Sequence, residues 1–206
     1  MAEVTPNPDQ LAKHISAMGT ARKGGTSPHR ELVCGDIDIR IARDGTWFYH
    51  GSPIGRKRLV KLFATVLKRE PDGSYVLETP VEKGRIQVDD VPFVAVELVA
   101  EGEGESQCLT LRTNIDESVT VDQAHPIRVS EDPETGHPVP YVLVRDALEA
   151  RIARPVYYEL VALGLERDVG SDHLYGVWSS GAFFPLGRLP AELAAETAAQ
   201  STSDPA

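Results

Sequence analysis

The stretch that decides the fold is residues 51–69, GSPIGRKRLVKLFATVLKR, which carries the clearest helical pattern in the chain. Its apolar side chains recur at helical spacing and form a single stripe, which predicts an amphipathic helix that packs on a sheet. These side chains are Leu59, Leu62, Phe63, Val66 and Leu67. Ser52 is placed to cap the first turn, and Pro53 suits the first helical position. The sequence EPDG at residues 70–73 ends the predicted helix.

The same stretch is strongly basic. No acidic residue occurs between Asp44 and Glu70, whereas six cations do. These cations are Arg56, Lys57, Arg58, Lys61, Lys68 and Arg69. Three of them lie near the predicted helix start, where the helix macrodipole disfavours positive charge. Free backbone N–H groups together with cations can hold an anion there. The stretch therefore predicts an anion site, with a solvated basic face as the alternative.

Short strands flank the predicted helix. Residues 36–41, DIDIRI, alternate strictly and predict a strand, and residues 46–49, TWFY, predict the return strand of a hairpin. Residues 74–77 predict a strand after the helix. Residues 92–100 are apolar on both faces and predict a central strand that is covered on both faces.

The remaining chain adds more strands and a second helix. Cys108 begins a return strand that runs to Thr113, and residues 119–121, 127–129 and 141–144 predict further short strands. Asp146 is placed to cap one helical turn, and Pro155 is placed to start a second helix with one apolar stripe. This stripe consists of Val156, Leu160 and Leu163. Residues 172–179 and 181–186 predict a final strand pair, and Asn7 is placed to cap a short N-terminal helix.

Two halves of the chain follow the same order of hairpin, helix and strand. This order predicts an α+β protein built by duplication, with two similar small domains that each consist of an antiparallel sheet and a packed helix. The alternative is a chance recurrence, because hairpin, helix and strand are a common order of elements. The predicted divisions are an N-terminal helix and linker in residues 1–30, a first domain in 31–82, a second in 83–189 and a frayed, disordered tail in 190–206. An interface between such domains is a preferred place for a small ligand.

Composition and net charge argue against some classes of function. The chain has 206 residues and a formal net charge of −10, which disfavours non-specific binding of nucleic acid by the whole protein. No apolar run approaches the roughly 18 residues of a membrane helix. The N-terminal residues lack a basic and apolar signal region, so we expect a cytoplasmic protein. Cys34 and Cys108 belong to no metal or redox spacing and are interpreted as two reduced thiols.

No motif in the sequence specifies a reaction. The six histidines do not pair at the spacing of a metal site, and no phosphate-binding loop, dinucleotide fingerprint or nucleophile elbow occurs. Ser179 lacks a predicted base partner. The sequence therefore indicates no metal, no cofactor and no enzyme activity, and an unrecognised hydrolase remains a third alternative.

Several long motifs resemble one bacterial family, domain-of-unknown-function family twelve-eighty-five. They are residues 44–98, TLRTN at 110–114, YVLVRDALEARIARPVYYELV at 141–161 and VWSSGAFFPLG at 177–187. The resemblance covers residues 30 to 188. It implies a two-domain α+β protein whose second domain is similar to pleckstrin-homology folds. It further implies a nucleotide-like ligand between the domains and a role in signal transduction.

The hypothesis from the sequence is a regulatory protein that binds a nucleotide-like or phosphorylated small molecule in an interdomain cleft. The predicted ligand residues are His50, Arg56, Lys57, Asn114, Arg145, Tyr158 and Trp178. The first three lie around the basic helix start. Arg145 clusters with Arg151 and Arg154 near the second helix start, where pairing with nearby acids is the alternative. The alternative function is a protein-interaction module in which the basic helix docks an acidic partner.

Overall fold

A computed structural model describes residues 33–80, 82–170 and 172–189 of the chain. They form two compact units. The first unit runs to Val94 and also includes Arg145–Glu149, whereas the second takes Ala95–Val144 and the chain from Ala150 onward. The predicted N-terminal helix and C-terminal tail lie outside the described residues.

The first unit is built on a six-stranded sheet. Its strands are β1 (Val33–Ile41), β2 (Trp47–Tyr49), β3 (Ser52–Pro53), β4 (Leu67–Arg69), β5 (Tyr75–Glu78) and β6 (Glu82–Val88), in the order β3-β2-β1-β6-β5-β4. The predicted alternation holds, because Ile37, Ile39 and Ile41 of β1 are all buried. β1 and β6 pair in parallel, whereas the other pairs are antiparallel. The chain between them is long enough for the crossover that parallel strands need.

Helix α1 (Lys57–Thr65) is shorter than its sequence pattern predicts. The predicted start at Ser52 and Pro53 is wrong, because both residues pair with β2 as β3. The backbone N–H of Ile54 also donates to the Trp47 carbonyl at 2.7 Å, which extends the hairpin. At the other end the chain turns at Val66 and enters β4. Pairing with neighbouring strands therefore replaces the local capping signal at both ends.

The buried side of α1 fixes it to the sheet. Val60, Phe63 and Ala64 are buried, and the rings of Phe63 and Trp47 stack with centroids 6.3 Å apart. Since Phe63 and Trp47 are among the largest fully buried side chains, the predicted helix-on-sheet core of the first unit is confirmed.

A second sheet has the order β10-β11-β12-β7-β8-β9. Its strands are β7 (Phe93–Glu101), β8 (Cys108–Thr113), β9 (Ser118–Thr120), β10 (Ile127–Glu131), β11 (Pro138–Arg145) and β12 (Leu148–Ile152). A 3₁₀ turn at Gly104–Ser106 lies between β7 and β8. β7 is central, as predicted, and β8 runs antiparallel to it. The prediction that both faces of β7 are covered is wrong, because Val96 and Val99 are 41% and 48% exposed.

The predicted helical turn after Asp146 is also wrong. Asp146 and Ala147 both have positive φ angles, 44° and 63°, and they form the turn between β11 and β12. Consecutive positive φ angles suit a two-residue hairpin turn because their twist matches that of the strands. Asp146 therefore occupies a turn position that aspartate tolerates, and no helix starts from it.

Helix α2 (Arg154–Ala162) has Pro155 in its first turn, as predicted. Val156 and Leu160 are buried, whereas Leu163 follows the helix and is 36% exposed. A three-stranded antiparallel sheet then follows in the order β13 (Leu165–Val169), β14 (Asp172–Ser179), β15 (Ala182–Arg188). β13 was not predicted from the sequence. Gly164 lies between α2 and β13, and a Cβ atom there would lie 2.4 Å from the Tyr175 ring, so any other residue would force that ring to move.

The two halves share one plan. An antiparallel hairpin precedes each helix, and an antiparallel meander of three strands, β4-β5-β6 or β13-β14-β15, follows it. The predicted duplicated α+β class is confirmed. Neither described helix has the length and apolar character that a bilayer crossing requires.

Candidate functional site

Both described helices begin at cations. Arg56 precedes α1 and Lys57 opens it, whereas Arg154 opens α2. Neither first turn contains an acidic residue, and among the described residues no side chain caps either of them by a hydrogen bond. The first N–H groups of a helix have no acceptor within the helix and carry the positive end of its dipole. Each start therefore offers an anion both N–H donors and positive charge.

The start of α2 opens into a pocket of about 140 Å³ within the second unit. Arg151, at the end of β12, and Arg154, at the start of α2, both line it, together with Tyr157 one turn later. Asp132, Thr135 and His137, from the β10–β11 loop, form another part of the lining. We call this space the arginine pocket. Guanidinium groups match the geometry of phosphate oxygens, so its chemistry suits an anion.

The β10–β11 loop is held in place by its own hydrogen bonds. The Asp132 carboxylate accepts backbone N–H groups of Glu134 and Thr135 at 3.0 and 3.2 Å. The His137 ring lies with Nδ1 3.2 Å from the Thr135 carbonyl oxygen. Since a carbonyl only accepts, Nδ1 donates, and Nε2 is the ring nitrogen left for another partner. The loop therefore presents an oriented imidazole beside the two arginines.

Tyr157 adds a neutral donor to the arginine pocket. Burial raises the pKa of the Tyr157 phenol above its ordinary value, because the charged phenolate would lose solvation. The hydroxyl therefore remains protonated across the physiological range and can donate to an anion. Its neighbour Tyr158, which the sequence analysis predicted as a ligand residue, is 62% exposed.

Of the residues predicted from the first unit, His50 is the most constrained. His50 and Gly51 form the turn between β2 and β3, both with positive φ. The His50 backbone N–H donates to the Asp38 carbonyl at 3.1 Å, and its Nδ1 lies 2.6 Å from the Asp38 carboxylate. The Tyr49 ring packs edge-on against the His50 ring, and their centroids are 4.1 Å apart. His50 thus faces a carboxylate on β1, while Arg56 and Lys57 are exposed at the helix start.

Arg145 lies at the opposite end of α1 from the predicted anion site. Its Nη2 donates to the carbonyl oxygen of Ala64 at 2.9 Å, and its guanidinium lies 5.4 Å from the Phe93 ring centroid. Ala64 is in the last turn of α1, so about 10 Å of helix separates it from Lys57. The structure therefore does not bring Arg145 to the helix start.

The predicted residues of the second unit also lie apart from the arginine pocket. Asn114 follows β8 in a turn that the Thr113 N–H closes by donating to the Glu117 carbonyl. Trp178 is on β14, where the guanidinium of Arg167 stacks 4.5 Å from its ring centroid. One face of the Trp178 ring thus already carries a cation.

The first unit has a cavity of its own, of about 410 Å³. Its two cations are paired with acids of the same cavity, because Lys83 lies 3.0 Å from Glu70 and Arg85 lies 3.7 Å from Asp72. Glu70 and Asp72 would repel an incoming anion. This cavity is therefore a weaker anion site than the arginine pocket.

Comparison with known proteins identifies the family. The model described as the N-terminal domain of unknown function DUF1285 matches residues 28–91, and the model of the DUF1285 C-terminal domain matches residues 92–186. The chain belongs to the DUF1285 family. The resemblance seen in the sequence motifs is confirmed.

A solved structure of a DUF1285 protein agrees with this assignment. A family protein from Silicibacter pomeroyi DSS-3 is 44% identical, with 88% of this chain and 97% of that chain covered and a TM-score of 0.72. Another, from Shewanella baltica OS155, is 28% identical, with 61% of this chain and 91% of that chain covered and a TM-score of 0.49. No curated protein matches the chain.

Ser179 of this DUF1285 protein is buried and hydrogen-bonded to the backbone. Its hydroxyl is fully buried, donates to the Val121 carbonyl at 2.6 Å and accepts the Leu109 N–H at 2.9 Å. These two bonds engage both the proton and a lone pair of the hydroxyl. The hydroxyl is thus held by the backbone through both bonds.

Sequence reasoning found part of the arginine pocket and missed the rest. The Arg154-Pro155 pair and the nearby Arg151 signalled a basic helix start. His137 and Tyr157 carried no signal, because the β10–β11 loop and the first turn of α2 bring them together only in the fold.

Proposed function

We propose that this DUF1285 protein is a cytoplasmic regulatory protein that binds a phosphorylated or nucleotide-like small molecule. The observation that carries the proposal is the arginine pocket, in which Arg151 and Arg154 line one small concave space at a helix start. Concave sites with a few convergent polar groups are typical of small-molecule binding.

The size of the pocket defines what it would take. A volume of about 140 Å³ corresponds to only about four or five waters. It suits a single phosphoryl or carboxylate group better than a whole nucleotide. In this proposal the phosphate enters the pocket and the rest of the ligand extends over its rim, near Tyr157.

The charge balance of the lining favours an anion. Arg151 and Arg154 contribute two positive charges against the one carboxylate of Asp132, and the Tyr157 hydroxyl contributes a neutral donor. The first turn of α2 adds N–H groups, although Pro155 removes one of them. Charge-assisted hydrogen bonds are stronger than neutral ones, so the arginines would supply most of the affinity.

Isothermal titration with matched ligand pairs tests this proposal. The panel pairs adenosine monophosphate with adenosine, and glucose 6-phosphate with glucose, and includes inorganic phosphate. We expect saturable heat from phosphorylated compounds and none from their unphosphorylated partners. Arg151→Ala with Arg154→Ala removes charge-assisted bonds worth about 1.5–3 kcal/mol each, so it should weaken binding by at least about ten-fold.

Two further variants make the test specific. Arg128→Ala with Arg188→Ala changes the net charge equally on another surface of the second unit and should leave the affinity within about two-fold. Arg56→Ala with Lys57→Ala tests the anion site predicted at α1. Absence of saturable heat with every phosphorylated compound, or equal binding by the pocket variant, would contradict the proposal.

A further inference from the structure

Two sheet edges of the second unit face each other across a cavity. β10 ends the second sheet and β15 ends the three-stranded sheet, and no described strand pairs with the outer side of either. The cavity between them has a volume of about 670 Å³. All five residues of β10 line it, and β14 and β15 contribute apolar residues to its other side. These apolar residues are Leu174, Pro185 and Leu186. We call this cavity the seam.

The hydrogen bonds of β10 with β11 show which way its backbone points. In an antiparallel pair, alternate residues bond to the partner strand, and the residues between them point away from it. The Asp132 N–H donates to the His137 carbonyl at 2.8 Å, and the Leu143 N–H donates to the Pro126 carbonyl at 3.2 Å. With the observed register, these bonds assign the even-numbered residues of β10 to the hydrogen-bonded positions.

The remaining residues of β10 therefore direct their backbone N–H and C=O groups into the seam. They are Ile127, Val129 and Glu131, and the last two lie opposite Pro140 and Pro138 of β11. Among the described residues, none forms a hydrogen bond with the backbone groups of these three. A strand edge with open donors and acceptors is a template for another strand.

β15 cannot close the seam by pairing with β10. Pro185 has no N–H to donate. The register of β14 and β15 also shifts between Tyr175 and Gly176, so Leu186 is an extra residue that bends and twists β15. Prolines and bulges of this kind keep a strand edge from pairing. The edge of β10 thus stays open beside a strand that cannot complete it.

We infer that the seam binds an extended segment of a partner protein, which adds a strand to the edge of β10. The segment pairs with the outward backbone groups of Ile127, Val129 and Glu131, and its alternate side chains enter the cavity. These positions span about 14 Å, the length of about five residues of strand. The apolar lining suits valine or isoleucine at the positions that enter. The inference does not depend on the arginine pocket.

Hydrogen bonding and charge both favour a polypeptide with a basic end. An apolar small molecule in the seam would take water from the outward backbone groups of β10 without replacing its hydrogen bonds, which is costly. Glu131 is exposed at the end of β10, and the following turn adds Asp132 and Glu134. A lysine or arginine of the segment meets negative charge there. The net charge of −10 of the whole chain favours such a partner over an acidic one.

Fluorescence anisotropy on the full chain tests the inference. The probe is the labelled peptide Lys-Val-Thr-Val-Thr-Val, whose lysine reaches Glu131 when the peptide runs antiparallel to β10. Two isomers carry N-methyl groups, one on two valine nitrogens and the other on the two threonine nitrogens. Alternate N–H groups of a strand point to opposite sides. We therefore expect one isomer to lose at least about ten-fold in affinity and the other to bind within about two-fold of the unmethylated peptide.

Substitution of Val129 tests the edge from the protein side. Val129→Pro removes an N–H that β11 does not use, and it should weaken peptide binding at least about five-fold. Val129→Ala keeps the N–H and should bind within about two-fold of wild type. Hydrogen exchange of the wild type gives a readout that needs no variant. The peptide should slow exchange of the Val129 amide at least about ten-fold and leave the Ser130 amide, which already bonds to β11, unchanged.

Charge reversal tests the predicted orientation of the peptide. Glu131→Lys should weaken binding of the lysine-containing peptide at least about three-fold, and added salt should reduce the difference. Glu103→Lys, in the connection between β7 and β8, makes the same change in net charge and should leave binding within about two-fold of wild type.

Several results would overturn the inference. They are failure of the wild type to bind the peptide, equal binding of the two methylated isomers, and an unchanged affinity in Val129→Pro. Tighter binding of lauric acid than of the peptide would assign the seam to an apolar small molecule. A dimer in sedimentation that Val129→Pro abolishes would assign the edge of β10 to a second copy of the chain.

Discussion

The two helices are held at their C-terminal ends by different donors. In the first unit the Arg145 guanidinium donates to the Ala64 carbonyl at 2.9 Å, and in the second the Tyr175 hydroxyl donates to the Val161 carbonyl at 2.7 Å. Both carbonyls lie in a last turn, where acceptors lack partners within the helix. The guanidinium also adds a positive charge at the negative end of the dipole. The contact therefore lies at the same end of the helix in both units, but its donor is charged in the first unit and neutral in the second.

Of the substitutions that test this comparison, replacing Arg145 should lower the free energy of unfolding the most. Arg145→Met removes a charged hydrogen bond, and we expect the free energy of unfolding to fall by about 1.5–3 kcal/mol. Loss of the contact with the Phe93 ring contributes to this cost. Urea unfolding measures it. Arg145→Lys keeps the charge without the planar fork and should fall between wild type and Arg145→Met. A methionine variant as stable as wild type would show that the contact does not fasten the helix.

Removing the Tyr175 hydroxyl should cost less. Tyr175→Phe deletes a neutral hydrogen bond, and we expect a loss of about 0.5–1.5 kcal/mol in the same urea experiment. The lower part of that range is expected because the Gly164 N–H still donates to the Val161 carbonyl at 3.0 Å. Tyr158→Phe, at an exposed position of α2, is the control and should change nothing measurable. A loss larger than that of Arg145→Met would reverse the proposed ranking.

The smallest effect should come from His173, which links β13 to β14 only in the second unit. Its Nδ1 lies 2.6 Å from Asp168 and its Nε2 3.1 Å from Glu166, and hydrogen bonds to Asp168 and then Glu166 raise its pKa. Because the folded-state pKa lies above the unfolded value, the stabilisation is fully present below about pH 6.5. It is lost as the pH rises through the folded-state pKa.

Melting temperatures across this pH range test the linkage. The gap between wild type and His173→Gln should be widest near about pH 5.5 and should narrow toward about pH 9. Asp168 and Glu166 are exposed, so added salt should narrow the gap as well. A difference in melting temperature that widens as the pH rises would contradict the predicted direction of the pH dependence.

Much of the fold could be predicted from local pattern. The alternation of residues 36–41 predicted β1, and apolar spacing predicted both helices, because these periods report directly which side of an element is buried. The errors occurred where strand pairing overrode a local signal. Ser52 and Pro53 have the chemistry of a helix start but pair with β2, and Asp146 has the chemistry of an N-cap but occupies a hairpin turn.

The candidate site was less accessible to sequence reasoning. Arg151 and Arg154 are close in the chain, so their charge was visible beside the predicted helix. His137 comes from a loop 14 residues before Arg151, and only the β10–β11 hairpin and the β12–α2 junction bring it to the same pocket. Arg145 was grouped with the second helix by proximity in sequence, whereas its hydrogen bond is to the first helix.

The β11–β12 turn has a consequence for anyone who wishes to produce the halves separately. The family models meet between residues 91 and 92, yet Arg145–Glu149 belongs to the compact unit formed by the earlier part of the chain. Cutting the gene at the family boundary would leave Ala64 on one fragment and its guanidinium donor on the other. A truncated first half would therefore lack a helix-end contact that only the later sequence provides, and mixing it with the second fragment should restore stability that neither piece has alone.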